Sequence, residues 1–537
     1  MGRVNRRVVM RWGTYCLLAL GVLLSAAAAK ASDIYIGQNP AGAGNGADCA
    51  DARKVSSLAP KDWVAGNTIH LCGTITAGFS VQGSGTPGNF ITIKWESRAR
   101  ISVAYGQMIN LSGAASYLLF DGGAACGPQT ACYSNEAANQ TGYPANITGI
   151  IEATANGSSL PNRDSSTQAF YGCNGCHDIE IRNLIIRNLY VHSQASDSTN
   201  SIDSGNFAFQ YPYGATGAAG TISIHDSDLH DMGNAISIER GQGTIFNIYN
   251  LEMYHNNWAV ENSGNGPRTV NIHDNHFHDA ANWDTSSDTF HHNGLHNYMN
   301  VASDSLALNL YNNLSDGDWG ACCTTATMSF TEFANPNNFN AFNNVDIQSC
   351  NNNTAPVFDY GATGGIFVNN TAIGCPTTPQ NVNAFSIYGT NIDFRNNAIE
   401  GYGQYLVVKA GTTFTHLDYN VYGAMGQGGN APWQCGSTGA SALSAWQSAC
   451  SGDAHGTKVS ILNVTFSGVP QFGSPLLSAG INLTGLGILP LDSDTSAGNT
   501  RTPVGRPSTG QWAAGAYAAI SSSALPAPPT GLTAAVN

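Results

Sequence analysis

The sequence predicts an all-β chain wound as a right-handed, single-stranded parallel β-helix, a solenoid. Three observations predict it. A degenerate repeat runs through the middle of the chain. Each repeat carries an Asn or Asp at one fixed place. The composition suits tight turns rather than helices, with 61 Gly and only 10% charged residues.

The repeat has the core apolar-x-apolar-x-Asn/Asp, followed three residues later by another apolar residue. It reads Ile179-x-Ile181-x-Asn183, Ile222-x-Ile224-x-Asp226, Phe246-x-Ile248-x-Asn250 and Val270-x-Ile272-x-Asp274. It continues through Leu308-x-Leu310-x-Asn312, Phe339-x-Ala341-x-Asn343, Ile366-x-Val368-x-Asn370 and Ile392-x-Phe394-x-Asn396. Successive Asn/Asp positions lie 43, 24, 24, 38, 31, 27 and 26 residues apart. A floor near 24 with variable excess is what coils of three short strands with loop insertions produce. Period-two alternation sends every second side chain into a narrow coil that only packed apolar groups fill. The Asn or Asp ends its strand at a turn, where it tolerates left-handed dihedrals. Stacked about 4.8 Å from its counterpart, its side chain can bond up and down the column.

The termini fall outside the repeat. Arg3, Arg6, Arg7 and Arg11 precede an apolar run from Tyr15 to Ala29, and Ala29-Lys30-Ala31 offers small residues for cleavage. This reads as a signal peptide cut after Ala31, since the run is short for a membrane span of about 20 residues. The β-helix is expected over 32–520, with a capping part at 32–125 and a closing part at 415–520. Residues 521–537 form a Pro/Ala-rich tail expected to be disordered.

The net charge of −14 argues against nucleic acid or an anionic membrane surface as partner. Of 13 cysteines, Cys16 lies in the signal peptide, and the remaining even number in an exported chain points to disulfides. Cys49 with Cys72, Cys126 with Cys132, Cys173 with Cys176 and Cys435 with Cys450 are the local pairs. Cys322, Cys323, Cys350 and Cys375 fall in equivalent loops as staples whose pairing stays open. Zinc is the rival reading of Cys173-x-x-Cys176, without a second pair or His at matching distance.

On these features the chain resembles the pectate-lyase-like superfamily of secreted right-handed β-helices, which holds polysaccharide lyases and glycoside hydrolases. Trp63-Val-Ala-Gly-Asn-Thr-Ile-His-Leu-Cys72 and Gly83-Ser-Gly-Thr-Pro-Gly-Asn-Phe-Ile-Thr-Ile93 are similar to the opening of secreted members. Ser474-Pro-Leu-Leu-Ser-Ala-Gly480 and Trp512-Ala-Ala-Gly-Ala-Tyr517 are similar to their closing end. The tail resembles a linker toward a fibronectin-type module. The resemblance implies a sugar-binding groove floored by the third strand of each coil.

Aligning those strands gives Phe209-Gln210, Ile238-Glu239, Val260-Glu261 and Leu295-His296, then Phe330-Thr331, Phe358-Asp359, Ile387-Tyr388 and Val408-Lys409. The second of each pair is expected to point outward, giving one column: Gln210, Glu239, Glu261, His296, Thr331, Asp359, Tyr388, Lys409. A long loop enters before His296 and carries Trp283, Asp284, Asp288, His291 and His292; such loops are usually functional. Glu261, His296, His292, Glu239 and Asp288 are the candidate catalytic groups. Arg240, Trp283, His291, Tyr298, Asp359, Tyr388 and Lys409 are the candidate substrate contacts. Glu239 and Glu261, about 5 Å apart along the stack, either share a proton, hold Ca²⁺, or pair simply with Arg240. Calcium is the one cofactor expected, with no organic cofactor. His225-Asp-Ser-Asp-Leu-His230 and His273-Asp-Asn-His-Phe-His278 look like metal motifs but read as outward ladders on another face, with Tyr249 and Tyr254 between them.

Three functions follow. A lyase acting on a uronic-acid glycan needs a neutralised carboxylate, a base at C5 and an acid for the leaving oxygen. Ca²⁺, His296 or His292, and Tyr298 or a water could fill those places. The departure from many related lyases is that no Lys or Arg stands near His296; Lys409 lies four coils away. A glycoside hydrolase would use two carboxylic groups drawn from Glu239, Glu261, Asp284 and Asp288. A glycan-binding surface protein would need neither. A secreted, monomeric polysaccharide lyase is the leading expectation.

Overall fold

The computed structural model describes residues 31–128, 149–154, 167–189, 206–212, 216–280, 292–319, 324–348, 356–375, 383–428, 430–488 and 505–518. Within them the strands pair in parallel with strands one coil away, the pattern of a parallel β-helix. An antiparallel hairpin joins Trp433–Cys435 to Thr438–Ala440 near the closing end.

Three columns of strands form the walls. In the first sheet the predicted inward pairs stack in register. Ile179 and Ile181 sit against Ile222 and Ile224, then Phe246 and Ile248, Val270 and Ile272, Leu308 and Leu310, and Phe339 and Ala341. All are buried, and each full burial of such a side chain contributes about 1.5–3 kcal/mol. The second sheet includes Leu184–Arg187, the middle of the two long strands Gly220–Arg240 and Thr244–Asn265, His276–His278, Leu314–Asp316 and Val345–Ile347. The third sheet takes Phe207–Tyr211, the ends of the same two long strands, Asn293–Met299, Ala326–Phe333 and the start of Phe358–Val368.

The turn after the first sheet is where the chain bends into the second. Asn183, Asp226, Asn250, Asp274, Asn312, Asn343 and Asn396 all have positive φ, as their place in the repeat predicts. One coil departs from that reading: Asn369, not Asn370, takes the left-handed conformation. Asn370 belongs to a second, buried column one residue further on, through Asn275, Asn313, Asn344, Asn370, Asn397 and Asn420 to Asp453. Asn344 shows the pattern. Its Oδ1 accepts from Asn313 N (3.2 Å) and Asn313 Nδ2 (3.0 Å). Its Nδ2 donates to Leu310 O (2.8 Å) and Asn370 Oδ1 (3.0 Å). All four bonding positions of the amide are filled.

His177, His225, His230, His273 and His278 each place Nδ1 2.6–2.8 Å from the carboxylate of the following Asp. Those Asp residues all have positive φ. The ladder reading of His225 and His273 holds, because Tyr249 stacks between them at 4.5 and 5.1 Å.

Disulfides join Cys49 to Cys72, Cys173 to Cys176 and Cys435 to Cys450. The second removes the zinc reading of that pair. The partners of Cys126 and Cys375, Cys132 and Cys322, Cys323 and Cys350 included, lie outside the described residues. At the closing end, helix Leu443–Cys450 buries Trp446. Ala516 and Tyr517 return with Val469 to cover Leu314, Val345 and Ile347 on the outside of the second sheet. No helix among the described residues is long and apolar enough to cross a membrane.

Candidate active site on the third sheet

Strand register places two outward rows on the third sheet where the alignment drew one. The first row runs Gln210, Ser237, Glu261, His296, Phe330, Asp359, Ser386. The second contains Tyr298 and Glu332, then Gly361 and Tyr388, with Glu239 two residues beyond Ser237. Lys409, whose N–H donates to Ile387 O, extends it. Glu239 is therefore not level with Glu261; Ser237 is. Thr331 is a second correction. It pairs with Asn297, is buried, and belongs to the inward set, while Phe330 faces out. A register irregularity between Asn293 and Leu295 shifts this strand.

The two glutamates nevertheless meet, through the residue between them. Ser237 Oγ lies 3.1 Å from Glu239 Oε1 and 2.8 Å from Glu261 Oε2. Gln210 Nε2 donates to the same Glu239 oxygen at 2.7 Å, and Asn234 Nδ2 to the same Glu261 oxygen at 3.1 Å. Gln210 is itself oriented by Gln168 Nε2, and Gln168 by Gln107 Nε2, at 3.1 and 3.0 Å. A chain of amides from the lower coils thus ends on the carboxylate pair.

One hydroxyl hydrogen serves only one acceptor, so both Ser237 contacts are hydrogen bonds only if a carboxyl carries a proton. Burial selects Glu261. Desolvation pushes its pKa up, the Ser237 bond opposes the rise, and the neighbouring Glu239 charge adds to it. A calcium ion at this pair would have to rest on the outer carboxylate oxygens. The two inner oxygens already face N–H donors, where a cation needs open lone pairs from six to eight oxygens. A shared proton accounts for the pair without it. Arg240, in register with Asn265, is half-buried at the strand end.

One coil above Glu261, His296 is buried against Trp258 (ring centroids 4.2 Å) and Phe330 (5.6 Å). Its Nε2 lies 3.2 Å from Glu332 Oε2. Tyr298 stands 5.8 Å from the His296 ring and meets the edge of Phe333 at 4.4 Å. Phe333 is 66% exposed with φ +63°, a rare conformation for a bulky residue. Further along, Lys409 Nζ contacts Asp359 Oδ1 at 3.1 Å and lies 4.2 Å above the Tyr388 ring. Gly361 makes room for that ring: a Cβ there would come within 2.4 Å of it. Asp359, Tyr388 and Lys409 therefore form one cluster, as their shared face predicts.

His292 is fully buried immediately before Asn293–Met299. Trp283, Asp284, Asp288 and His291 lie outside the described residues. Ser237, Asn234, Trp258, Glu332 and Phe333 belong to the site and escaped the sequence reading. The acid two places after Phe330 was the available signal for Glu332, hidden by treating Phe330 as inward.

No family model and no curated protein matches the chain. Among solved structures it is similar to the crystal structure of pectate lyase Pel9A, at 14% identity and TM-score 0.45, over 91% of this chain and 96% of that one. It is also similar to the GH136 lacto-N-biosidase from Eubacterium ramulus, at 12% identity and TM-score 0.40, over 75% of this chain and 67% of that one. A rhamnogalacturonan lyase matches at 10% identity and TM-score 0.33, over 88% of this chain and 95% of that one. The fold rests on the strand pairing itself: a parallel β-helix carrying acid, imidazole and phenol groups on one outer face.

Proposed function

We propose that the chain is a secreted carbohydrate-active enzyme, a polysaccharide lyase that cleaves a uronic-acid-containing glycan on the third sheet. The observation that carries this reading is the in-register stacking of Glu261 below His296, with Tyr298 two residues further along the same strand. In β-elimination the imidazole of His296 takes the proton from C5. The electrons form the C4–C5 double bond, the C4–O bond breaks, and Tyr298 protonates the departing oxygen. With its proton held against Ser237, Glu261 adds no negative charge beside the uronate carboxylate, which lowers the cost of charge at C5. Glu332 orients His296 and favours its protonated form after the transfer. Phe333 offers a stacking face for a sugar ring, and Lys409 an anion contact further along. The disulfides fit an oxidising, extracellular compartment.

A retaining glycoside hydrolase is the second reading, and one observation favours it. Two carboxylate oxygens that both touch Ser237 Oγ, at 3.1 and 2.8 Å, lie no more than ~6 Å apart, a bound that admits the roughly 5–5.5 Å of a retaining pair and excludes most of the range of an inverting one. A panel of acidic and neutral polysaccharides, with and without Ca²⁺ or chelator, separates the readings. Ultraviolet absorbance of unsaturated uronate is expected, unchanged by chelator. Reducing ends without absorbance would replace the lyase by the hydrolase, absorbance that vanishes with chelator would restore calcium, and silence in both channels would leave a glycan-binding role.

A further inference from the structure

The second sheet gathers a different set of groups, away from the groove. Strand register stacks Asp228, Glu252 and His276 in one outward row, and His230, Tyr254 and His278 in the next. Glu252, His276 and His278 are 0%, 5% and 3% exposed. His276 Nδ1 lies 2.5 Å and His278 Nε2 2.9 Å from the same oxygen, Glu252 Oε1. The three donor atoms all lie within 4.8 Å of one another. The other Glu252 oxygen, Oε2, is buried without a hydrogen-bond partner among the described residues.

The outer nitrogens are held by other carboxylates. His276 Nε2 lies 2.7 Å from Asp316 Oδ1, and His278 Nδ1 lies 2.8 Å from Asp279 Oδ2. Those outer carboxylates would keep an N–H on each outer nitrogen when a cation takes the place of the inner N–H protons facing Glu252. Carboxylate–imidazole pairs of this kind are how metal-binding histidines are oriented. The two rings also stack at 4.2 Å with 24° between their planes. That separation is poor for two imidazolium cations and good for two neutral ligands of one ion.

We propose that Glu252, His276 and His278 hold one divalent transition-metal ion of the zinc class, bolting two neighbouring coils together. Two imidazoles and a carboxylate suit Zn²⁺ better than Ca²⁺ or Mg²⁺, which take oxygen ligands. Zn–ligand bonds of about 2.0–2.1 Å require the donors to part by less than ~1 Å. Asp228 stands in register below Glu252 on the same row and is fully buried. Buried within the sheet wall, such a site would contribute to folding by joining the two coils. It belongs to a separate face and does not rest on the lyase reading.

The test is the metal content of the full chain, secreted into zinc-supplemented medium and purified without chelator. A single zinc per chain is expected, together with a lower Tm after unfolding and refolding in chelator that added Zn²⁺ restores. Cobalt in its place should give visible d–d absorption. H278N should lose the metal, and D316N, which keeps all three donors, should weaken Zn²⁺ binding by about 10–100-fold. Should H278N fail to fold, D316N and the refolding experiment still decide. Substoichiometric zinc with equal Tm in chelator and Zn²⁺, or calcium found instead, would overturn the proposal.

Discussion

Glu261 is a carboxyl group placed where losing its proton is costly, and that has a measurable sign. Its folded pKa is raised by burial, while the unfolded chain has the ordinary Glu value near 4.3. The stability it contributes is therefore present below about pH 4.3 and is lost as pH rises through the folded value. E261Q removes the titration and keeps the shape. Its Tm should gain on the wild type as pH rises from about 4.3 toward neutrality, and parallel Tm–pH curves would show that Glu261 is not the protonated partner. The same variant should lose about 10²–10⁴ in kcat/KM on the responsive glycan, as should H296A. Activity retained in both would remove this pair from the chemistry.

At the level of strands and turns, the buried amide column separates structure from surface. N344A deletes four side-chain hydrogen bonds and leaves Leu310 O, the Asn313 backbone N–H and side-chain amide, and Asn370 Oδ1 each one bond short inside the coil. It should cost about 3 kcal/mol or more by chemical denaturation. N340A removes a half-exposed amide that donates to Asn309 Oδ1 at 2.8 Å, and should cost less than ~1 kcal/mol. Equal losses would mean that the column is decoration. This level also shows what was legible in the sequence. Alternation and turn residues revealed the coil, its inward pairs and the left-handed Asn and Asp positions, because each depends on local backbone geometry. Register within the outward rows was not legible. Period two is blind to a shift of two residues, which set Glu239 where Ser237 stands. Phe330 faces out because the His296 ring offers it a stacking surface, and apolar character alone cannot report that. Asn370 looked like a turn residue because Asn369 beside it is one. The His276–Glu252 contact joins residues 24 apart, visible only once the coils are stacked.

For the molecule as a whole, charge should shape substrate preference. A net charge of −14 repels a polyuronate before any contact in the groove is made. Salt screens such repulsion, with a Debye length of about 30 Å at 0.01 M and 8 Å at 0.15 M. The kcat/KM for an acidic glycan should therefore rise between those ionic strengths, while that for a neutral glycan stays flat. A fall with salt would point to local attraction, centred on Lys409, outweighing the overall field.

The return of Ala516 and Tyr517 onto Leu314, Val345 and Ile347 also sets an order of events. A solenoid can wind coil upon coil as its chain emerges, since each turn leans only on the one before it. The oily outer patch on the middle coils is the exception, because its cover is synthesised well after the coils it protects. Until that cover arrives, the wound coils carry a sticky flank. Chains cut short before Trp512 should expose that flank and aggregate sooner than chains carrying the closing segment, a difference that light scattering would report.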